Sequence, residues 1–217
     1  MATKDSTHKR FGYDDIMSLE QRYRNNLINS VSGFKSANLL GTVNAKGIAN
    51  LGLFSSVTHI GSNPPLLGFI LRPTTVPRHT YENLKDLGYY TINHVEETVI
   101  EAAHQASAKY PESTDEFEAC GLTKEWSPLH TAPYVGESRV QIGMQYQEQY
   151  LIKANDTLLI IGKIVELRLK GECLQEDGYI DLAEAGSVTI NGLDGYLTAQ
   201  RMARFSYARP NEALRRI

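Results

Sequence analysis

At 217 residues with 41% hydrophobic content, the chain is long enough to bury a substantial core without disulfides or a structural metal. Its 22 Lys and Arg against 25 Asp and Glu leave a formal net charge of −3 and a sequence pI near 6.1. That balance argues against a nucleic-acid partner, which demands a basic stripe to neutralise phosphates, but leaves room for a local pocket holding one small anion.

The two cysteines, Cys120 and Cys173, are far apart and form no CxxC pair, so burial as small hydrophobes accounts for them better than a redox or catalytic role. The chain does not open on a basic segment followed by an apolar run, and its longest apolar stretches, 65–71 and 157–165, are too short to span a bilayer. The expected location is therefore the cytoplasm, with no membrane partner. The six histidines, His8, His59, His79, His94, His104 and His130, lack the pairwise spacing of a metal-binding helix, and no metal site is expected.

In chain order, residues 1–12 are polar and read as a loose arm. Ile16, Leu19, Tyr23 and Leu27 recur every three to four residues, which predicts a helix capped by Asp14 or Asp15. Arm and helix start make up residues 1–20, and residues 21–217 read as one domain. Residues 37–43 read as a strand, Asn44-Ala45-Lys46-Gly47 as a hairpin turn, and 48–60 as the antiparallel return. Ser62-Asn63-Pro64-Pro65 ends that return, and residues 66–71 form a third strand closed by Arg72-Pro73. A short helix follows over 80–87 with Gly88 as its C-terminal cap, then a strand over 89–95. Residues 96–121 are helical and irregular. Strands return at 140–151, 157–169 and 188–190, with turns at Ala154-Asn155-Asp156 and Gln175-Glu176-Asp177-Gly178. The chain is thus mainly β, without strand–helix alternation, and predicts one antiparallel barrel with peripheral helices.

Two clusters carry possible chemistry. In Asn50-Leu51-Gly52-Leu53-Phe54-Ser55-Ser56-Val57-Thr58, a strand conformation puts Ser56 and Thr58 on one face and Ser55 on the other. Gly52 weakens the strand but lets a ligand approach the backbone, although an edge strand with solvated hydroxyls explains the same residues. The second cluster runs from Arg72 to Asn83 and contains two arginines, several hydroxyls and the predicted helix start, with Thr80 as N-cap and Asn83 three residues on. A helix N-terminus flanked by Arg72 and Arg78 can seat one phosphate, while ordinary capping beside surface arginines fits equally well. FMN makes both clusters intelligible together: its phosphate needs cations and hydroxyls, and its flat apolar ring suits a strand with a glycine and Phe54.

A resemblance now becomes visible. Gly47-Ile48-Ala49-Asn50-Leu51, Phe54-Ser55-Ser56-Val57, Asn63-Pro64-Pro65-Leu66, Arg78-His79-Thr80, Asn83-Leu84 and Tyr90-Thr91-Ile92-Asn93 follow in the order found in the flavin reductase-like family of FMN-binding split barrels. His104-Gln105-Ala106-Ser107-Ala108, Glu116-Phe117-Glu118-Ala119-Cys120-Gly121-Leu122, Pro133-Tyr134-Val135 and Arg204-Phe205-Ser206-Tyr207 continue it.

The resemblance implies a six-stranded antiparallel split β-barrel that forms a homodimer, with FMN near the subunit interface. It implies that the strand around Asn50, Leu53, Phe54, Ser55 and Ser56 runs along the flavin ring, and that Arg72, Arg78, His79, Thr80 and Asn83 surround the phosphate. Many relatives have Lys-Asp-Thr where this chain has Arg78-His79-Thr80; the arginine keeps the charge and adds a bidentate fork, whereas the histidine is a departure. Many also have Ala-Pro in place of Gly52-Leu53.

The implied activity is hydride transfer from NADH or NADPH to the flavin, with electrons passed to an acceptor. The cofactor supplies that chemistry, so no side chain is assigned a catalytic role, and the lack of GxGxxG rules against a dedicated dinucleotide fold while leaving transient nicotinamide stacking open. Tyr196 reads as a core tyrosine or as a flank of the pocket. A non-enzymatic FMN-binding electron-transfer protein and a flavin-free binding module on the same scaffold are the alternatives.

Overall fold

The computed structural model describes residues 8–217; residues 1–7 of the expected polar arm lie outside the described residues. The apolar spacing near the start builds two helices rather than one, α1 (Tyr13–Ser18) and α2 (Gln21–Val31). Neither aspartate caps from outside the helix. Asp15 sits within the first turn of α1, where its carboxylate accepts the Gly12 N–H at 2.8 Å. The chain turns extended at Leu19, and Glu20 restarts the helix by accepting the Tyr23 N–H at 3.0 Å.

After the two-residue strand β1 (Lys35–Ser36) come β2 (Asn38–Val43), β3 (Ala49–Phe54), β4 (Thr58–Ser62) and β5 (Pro65–Leu71). The helix α3 (His79–Leu87) then ends on Gly88, whose φ of 75° is left-handed and suits glycine, and leads into β6 (Tyr89–His94). A 3-10 turn and two short helices, α4 (Ile100–Gln105) and α5 (Glu116–Cys120), precede the hairpin of β7 (Lys124–Ser127) and β8 (His130–Val135). Two long strands, β9 (Val140–Ile152) and β10 (Thr157–Leu169), and two short ones, β11 (Val188–Asn191) and β12 (Gly195–Thr198), complete the order.

The main sheet has seven strands in the order β3-β2-β6-β9-β10-β5-β4, and every neighbouring pair is antiparallel. Six of the seven expected runs supply all seven strands of this sheet, and the seventh, 188–190, becomes β11 in a separate small sheet. The run expected over 48–60 breaks at residues 55–57, and its halves, β3 and β4, lie at opposite edges of the sheet. One stretch of chain thus reaches from one edge to the other, which is how a six-run antiparallel sheet becomes a split barrel. At the break the Ser56 hydroxyl takes the place of a ladder partner, donating to the Ile70 carbonyl at 3.2 Å and accepting the Ile70 N–H at 3.0 Å.

Strand alternation sorts the apolar residues into two cores. Leu40, Phe69, Tyr90, Ile92, Met144 and Ile160 meet in one cluster drawn from five strands of the barrel, with Leu84 of α3 packed into it. Leu39, one residue from Leu40, faces the other way and packs with Leu51, Val95, Phe117 and Val135 beneath α4 and α5.

The β7–β8 hairpin was not expected from the sequence. It crosses the outside of β2 and β6 on a polar seam. Thr91 Oγ1 donates to the Pro133 carbonyl at 2.7 Å, Asn93 Oδ1 accepts the Val135 N–H at 3.0 Å, and Gln141 Nε2 donates to the Val135 carbonyl at 2.7 Å. Gly41 makes this approach possible, because a Cβ there would lie 2.4 Å from the Pro133 carbonyl oxygen. Gly41→Ala is therefore expected to lower stability by about 1–3 kcal/mol through overpacking against backbone. Urea unfolding measures this, and an unchanged midpoint would show that β8 is free to move aside.

Candidate functional site

β3, the Arg72–Arg78 loop and α3 bring the two clusters together. α3 begins at Arg78 with no side-chain cap; instead the Arg78 N–H donates to Glu82 Oε1 at 3.3 Å and its Nε donates to the Pro73 carbonyl at 3.3 Å. The guanidinium thus folds the loop back on itself at the helix start, and Arg72 stands exposed at the end of β5. The other N–H groups of the first turn carry the partial positive charge of a helix N-terminus beside Arg78.

Thr80 and Asn83 do not cap the helix. Both are buried and turn inward, onto β2 and β3. Asn83 Nδ2 donates to Thr42 Oγ1 at 3.0 Å, and the Asn50 amide lies 3.0 Å from Thr80 Oγ1 and 3.3 Å from Thr42 Oγ1. His79, half-buried, shares a shallow pocket with Asn44, Asn50, Asn83 and Glu112.

Along β3, Gly52 leaves space that the Phe54 ring occupies: a Cβ on it would lie 2.9 Å from that ring and 3.4 Å from Thr80 Oγ1. Phe54 packs edge-on against Phe69 with centroids 5.2 Å apart, and Leu53 packs towards the helices. Ser55 is half-buried, while the Ser56 hydroxyl is committed to Ile70. Asn50, Thr80 and Asn83 thus form one network with the start of α3, and Phe54 and Ser56 belong to the β5 side of the break. Tyr196 of β12 bonds His104 Nδ1 across 3.0 Å and packs on the core cluster that contains Leu51.

Two members of the network were not anticipated. Thr42 joins Asn50 and Asn83, and Glu116 of α5 reaches β3, where its Oε2 accepts the Leu51 N–H at 2.6 Å. Glu116 is 5% exposed, and among the described residues no lysine or arginine pairs with it; Lys124 instead engages Asp115 and Glu118. Burial pushes the Glu116 carboxyl up to about 7, the Leu51 N–H works against that rise, and the Asp115 carboxylate adds to it. Nothing local marks Glu116 in the sequence, since its partner lies 65 residues away. Among the described residues no cluster of His, Cys, Asp and Glu forms a metal site, and no helix is long and apolar enough to cross a membrane.

The fold is a split antiparallel barrel, and comparison with known proteins supplies its class, that of the flavin-related oxidoreductases. The model of the flavin reductase like domain matches residues 31–185, and the chain belongs to that family. A split-barrel protein from Shewanella frigidimarina NCIMB 400, described as a flavin reductase, is 46% identical with a TM-score of 0.89, over 93% of this chain and 100% of its own. The chain is also similar in fold to nitrilotriacetate monooxygenase component B from Bacillus cereus (17% identity, TM-score 0.77, 90% of this chain and 98% of that one). The flavoredoxin of Desulfovibrio vulgaris (Miyazaki F) shares 24% identity with a TM-score of 0.68, over 83% of this chain and 92% of that one.

The raised Glu116 pKa has a consequence for stability. An unfolded glutamate ionises near 4.5, whereas the folded one holds its proton to about 7, so Glu116 supports the fold fully below 4.5 and loses that support as pH rises towards and through 7. Urea unfolding at pH 5 and pH 8 should show the midpoint fall more in the wild type than in Glu116→Gln. Equal declines would contradict the burial argument.

Proposed function

We propose that residues 21–217 form one FMN-binding domain and that the chain is an NADH- or NADPH-dependent flavin oxidoreductase working as a homodimer in the cytoplasm. The observation that carries the reading is the N-terminus of α3: it lacks a side-chain cap and begins at Arg78, with the exposed Arg72 at the other end of the same loop, which suits the phosphate of FMN. The edge strand supports the rest. Leu53, Phe54 and Ser55 offer apolar and polar contacts at half-buried positions, as a flat ring with a polar rim needs.

In this reading Arg72 and Arg78 hold the phosphate, with His79 and Thr80 at the helix start, and Asn83 and Asn50 keep Thr80 in position from behind. Leu53, Phe54, Ser55 and the Ser56 turn border the ring. When bound, FMN supplies the two-electron chemistry between nicotinamide and an acceptor. The protein binds and orients it, and no protein acid or base is assigned to the transfer. The exposed Tyr150 and Leu151 of β9 and Leu167 of β10 offer apolar surface for a second copy.

Purified chain supplied with FMN should oxidise NADH or NADPH, with bleaching of the visible flavin absorbance in the absence of oxygen. Arg78→Ala should weaken FMN binding by about 1.5–3 kcal/mol, the usual worth of a hydrogen bond to a charged group, and leave riboflavin binding nearly unchanged. Flavin fluorescence titration gives both affinities. An unaltered FMN affinity would remove Arg78 from the phosphate.

A further inference from the structure

Two segments attached to the edges of the small sheet leave their apolar residues in water. That sheet has the order β1-β11-β12; α2 leads into β1 on one edge, and residues 199–217 leave β12 on the other. Apart from Val31, both lie outside residues 31–185, the part shared with the family.

α1 and α2 bury no side chain. Tyr23, Leu27 and Val31 recur every four residues and line one face of α2, the pattern of a helix seated on a core. Yet Tyr23 and Val31 are exposed, as are Tyr13 of α1 and Phe34 just past α2. A helix of 11 residues falls short of the roughly 12–15 that even alanine-rich sequences need in water, and takes most of its stability from packing. The tie that holds α2 to the sheet is polar instead, with Lys35 Nζ donating to the Asn29 carbonyl at 2.6 Å.

Residues 199–217 are pinned at their start. Arg201 meets the buried Asp181 carboxylate at 2.7 Å. Arg204 donates to Gln175 Oε1 at 2.7 Å, pairs with Asp177 and lies over the Tyr179 ring. From Phe205 on, the hydrogen bonds among the described residues run within the segment, with the Ser206 N–H donating to the Arg215 carbonyl at 2.8 Å and the Ile217 N–H to the Arg204 carbonyl at 3.1 Å. A two-stranded hairpin on its own is marginal in water. Met202 and Tyr207 are nonetheless 92% and 87% exposed, and Phe205 and Leu214 are exposed with them.

Charge narrows the choice of cover. Five of the chain's 22 Lys and Arg fall in residues 199–217 against one of its 25 Asp and Glu, so the rest of the chain is acidic. Arg215 and Arg216 meet no carboxylate among the described residues. The helices carry Asp14, Asp15 and Glu20 against Arg22 and Arg24, which does not suit an anionic surface. A second copy of this chain answers both segments at once. It brings an apolar helix face with an excess of carboxylates to the basic segment, and a basic apolar segment to the helix face. A two-fold axis then makes the contact twice.

Building on the homodimer reading, we infer that α1–α2 and residues 199–217 clasp a second copy, the apolar helix face of each against the basic segment of the other. The clasp gives that dimer its surface.

Sedimentation velocity of the full chain over a dilution series tests this in the wild type and in paired variants. Tyr23→Glu with Val31→Glu alters the helix face, Phe205→Glu with Tyr207→Glu alters the basic segment, and Tyr150→Glu with Leu151→Glu alters β9. All six side chains are exposed in a single copy, so the barrel should stay folded, which circular dichroism checks. The wild type should sediment at twice 24.2 kDa. Each of the first two pairs should raise the dimer dissociation constant about tenfold or more, the effect of losing buried aromatic and apolar anchors. Hydrogen exchange of the wild type tests the same contact without a substitution: α2 amides should be protected in the dimer and lose protection as dilution dissociates it. A dimer that stays as tight as wild type with either the helix pair or the 205–207 pair, or α2 amides that exchange freely in the dimer, overturns the clasp. Dissociation by the β9 pair alone does so too and leaves the homodimer reading standing. A wild type that is monomeric throughout refutes that reading and the clasp with it, and α2 protection gained only on vesicles of anionic lipid would then give these segments to a membrane surface.

Discussion

An antiparallel sheet with two free edges exposes two rows of backbone N–H and C=O groups, each a template for unwanted pairing. In this chain both edges, β3 and β4, come from a single run that leaves one side of the sheet and rejoins it on the other, so closure of the barrel depends on how that run breaks. The break falls at residues 55–57, and the Ser56 hydroxyl bonds both the N–H and the carbonyl of Ile70 in place of a ladder. The strand that carries half of the candidate site is therefore held on one side by β2 and ends where the barrel divides. Its outer side is left for something other than a strand to complete.

α5 completes it. The Leu51 N–H points away from β2 and would be an orphan donor in a buried place, and Glu116 accepts it. A hydrogen bond to a charged acceptor is stronger than one between neutral groups, but removing a carboxylate from water costs more than a single such bond returns unless a cation or several donors share the load. Here Lys124 is occupied by Asp115 and Glu118. The balance is struck by the proton, which burial keeps on the carboxyl up to about pH 7.

Much of this architecture could be read directly. The barrel strands carry alternating apolar residues such as Leu40 and Ile92, and Gly47 and Gly88 mark turns by their backbone demands, so α3 and the runs other than 48–60 emerged with nearly their true bounds. The rest depended on distant partners. β8 offers no clean alternation, because Pro133 and Val135 answer to a seam of Thr91, Asn93 and Gln141 on other strands. Thr80 and Asn83 are three apart, which is the spacing of a cap and its reciprocal partner and also that of two residues on one inward helix face. Only the hydroxyl of Thr42 and the amide of Asn50 decide for the inward face. Glu116 was hidden for the same reason, since a glutamate in a short polar helix is ordinarily solvated and Glu118, two residues on, is exposed.

Comparison within the molecule separates structure from function at Glu116. The seam beneath β8 buries Thr91, Asn93 and Gln141, and these neutral amides and hydroxyls hold a crossing strand in place. A second carboxylate, Glu166, lies at the edge of that seam, where Tyr134 donates to it at 2.9 Å. Burial alone would raise its pKa, but hydrogen bonds from Ser127 and Tyr134 and the charges of His130 and Arg168 outweigh burial and hold it below the usual range. The fold therefore has both solutions available, neutral partners for a buried backbone group and a compensated charge where a carboxylate is used. At Leu51 it uses neither. A glutamine would satisfy the same N–H without a titrating group, so Glu116 adds to the one bond it makes a carboxyl that burial holds near 7.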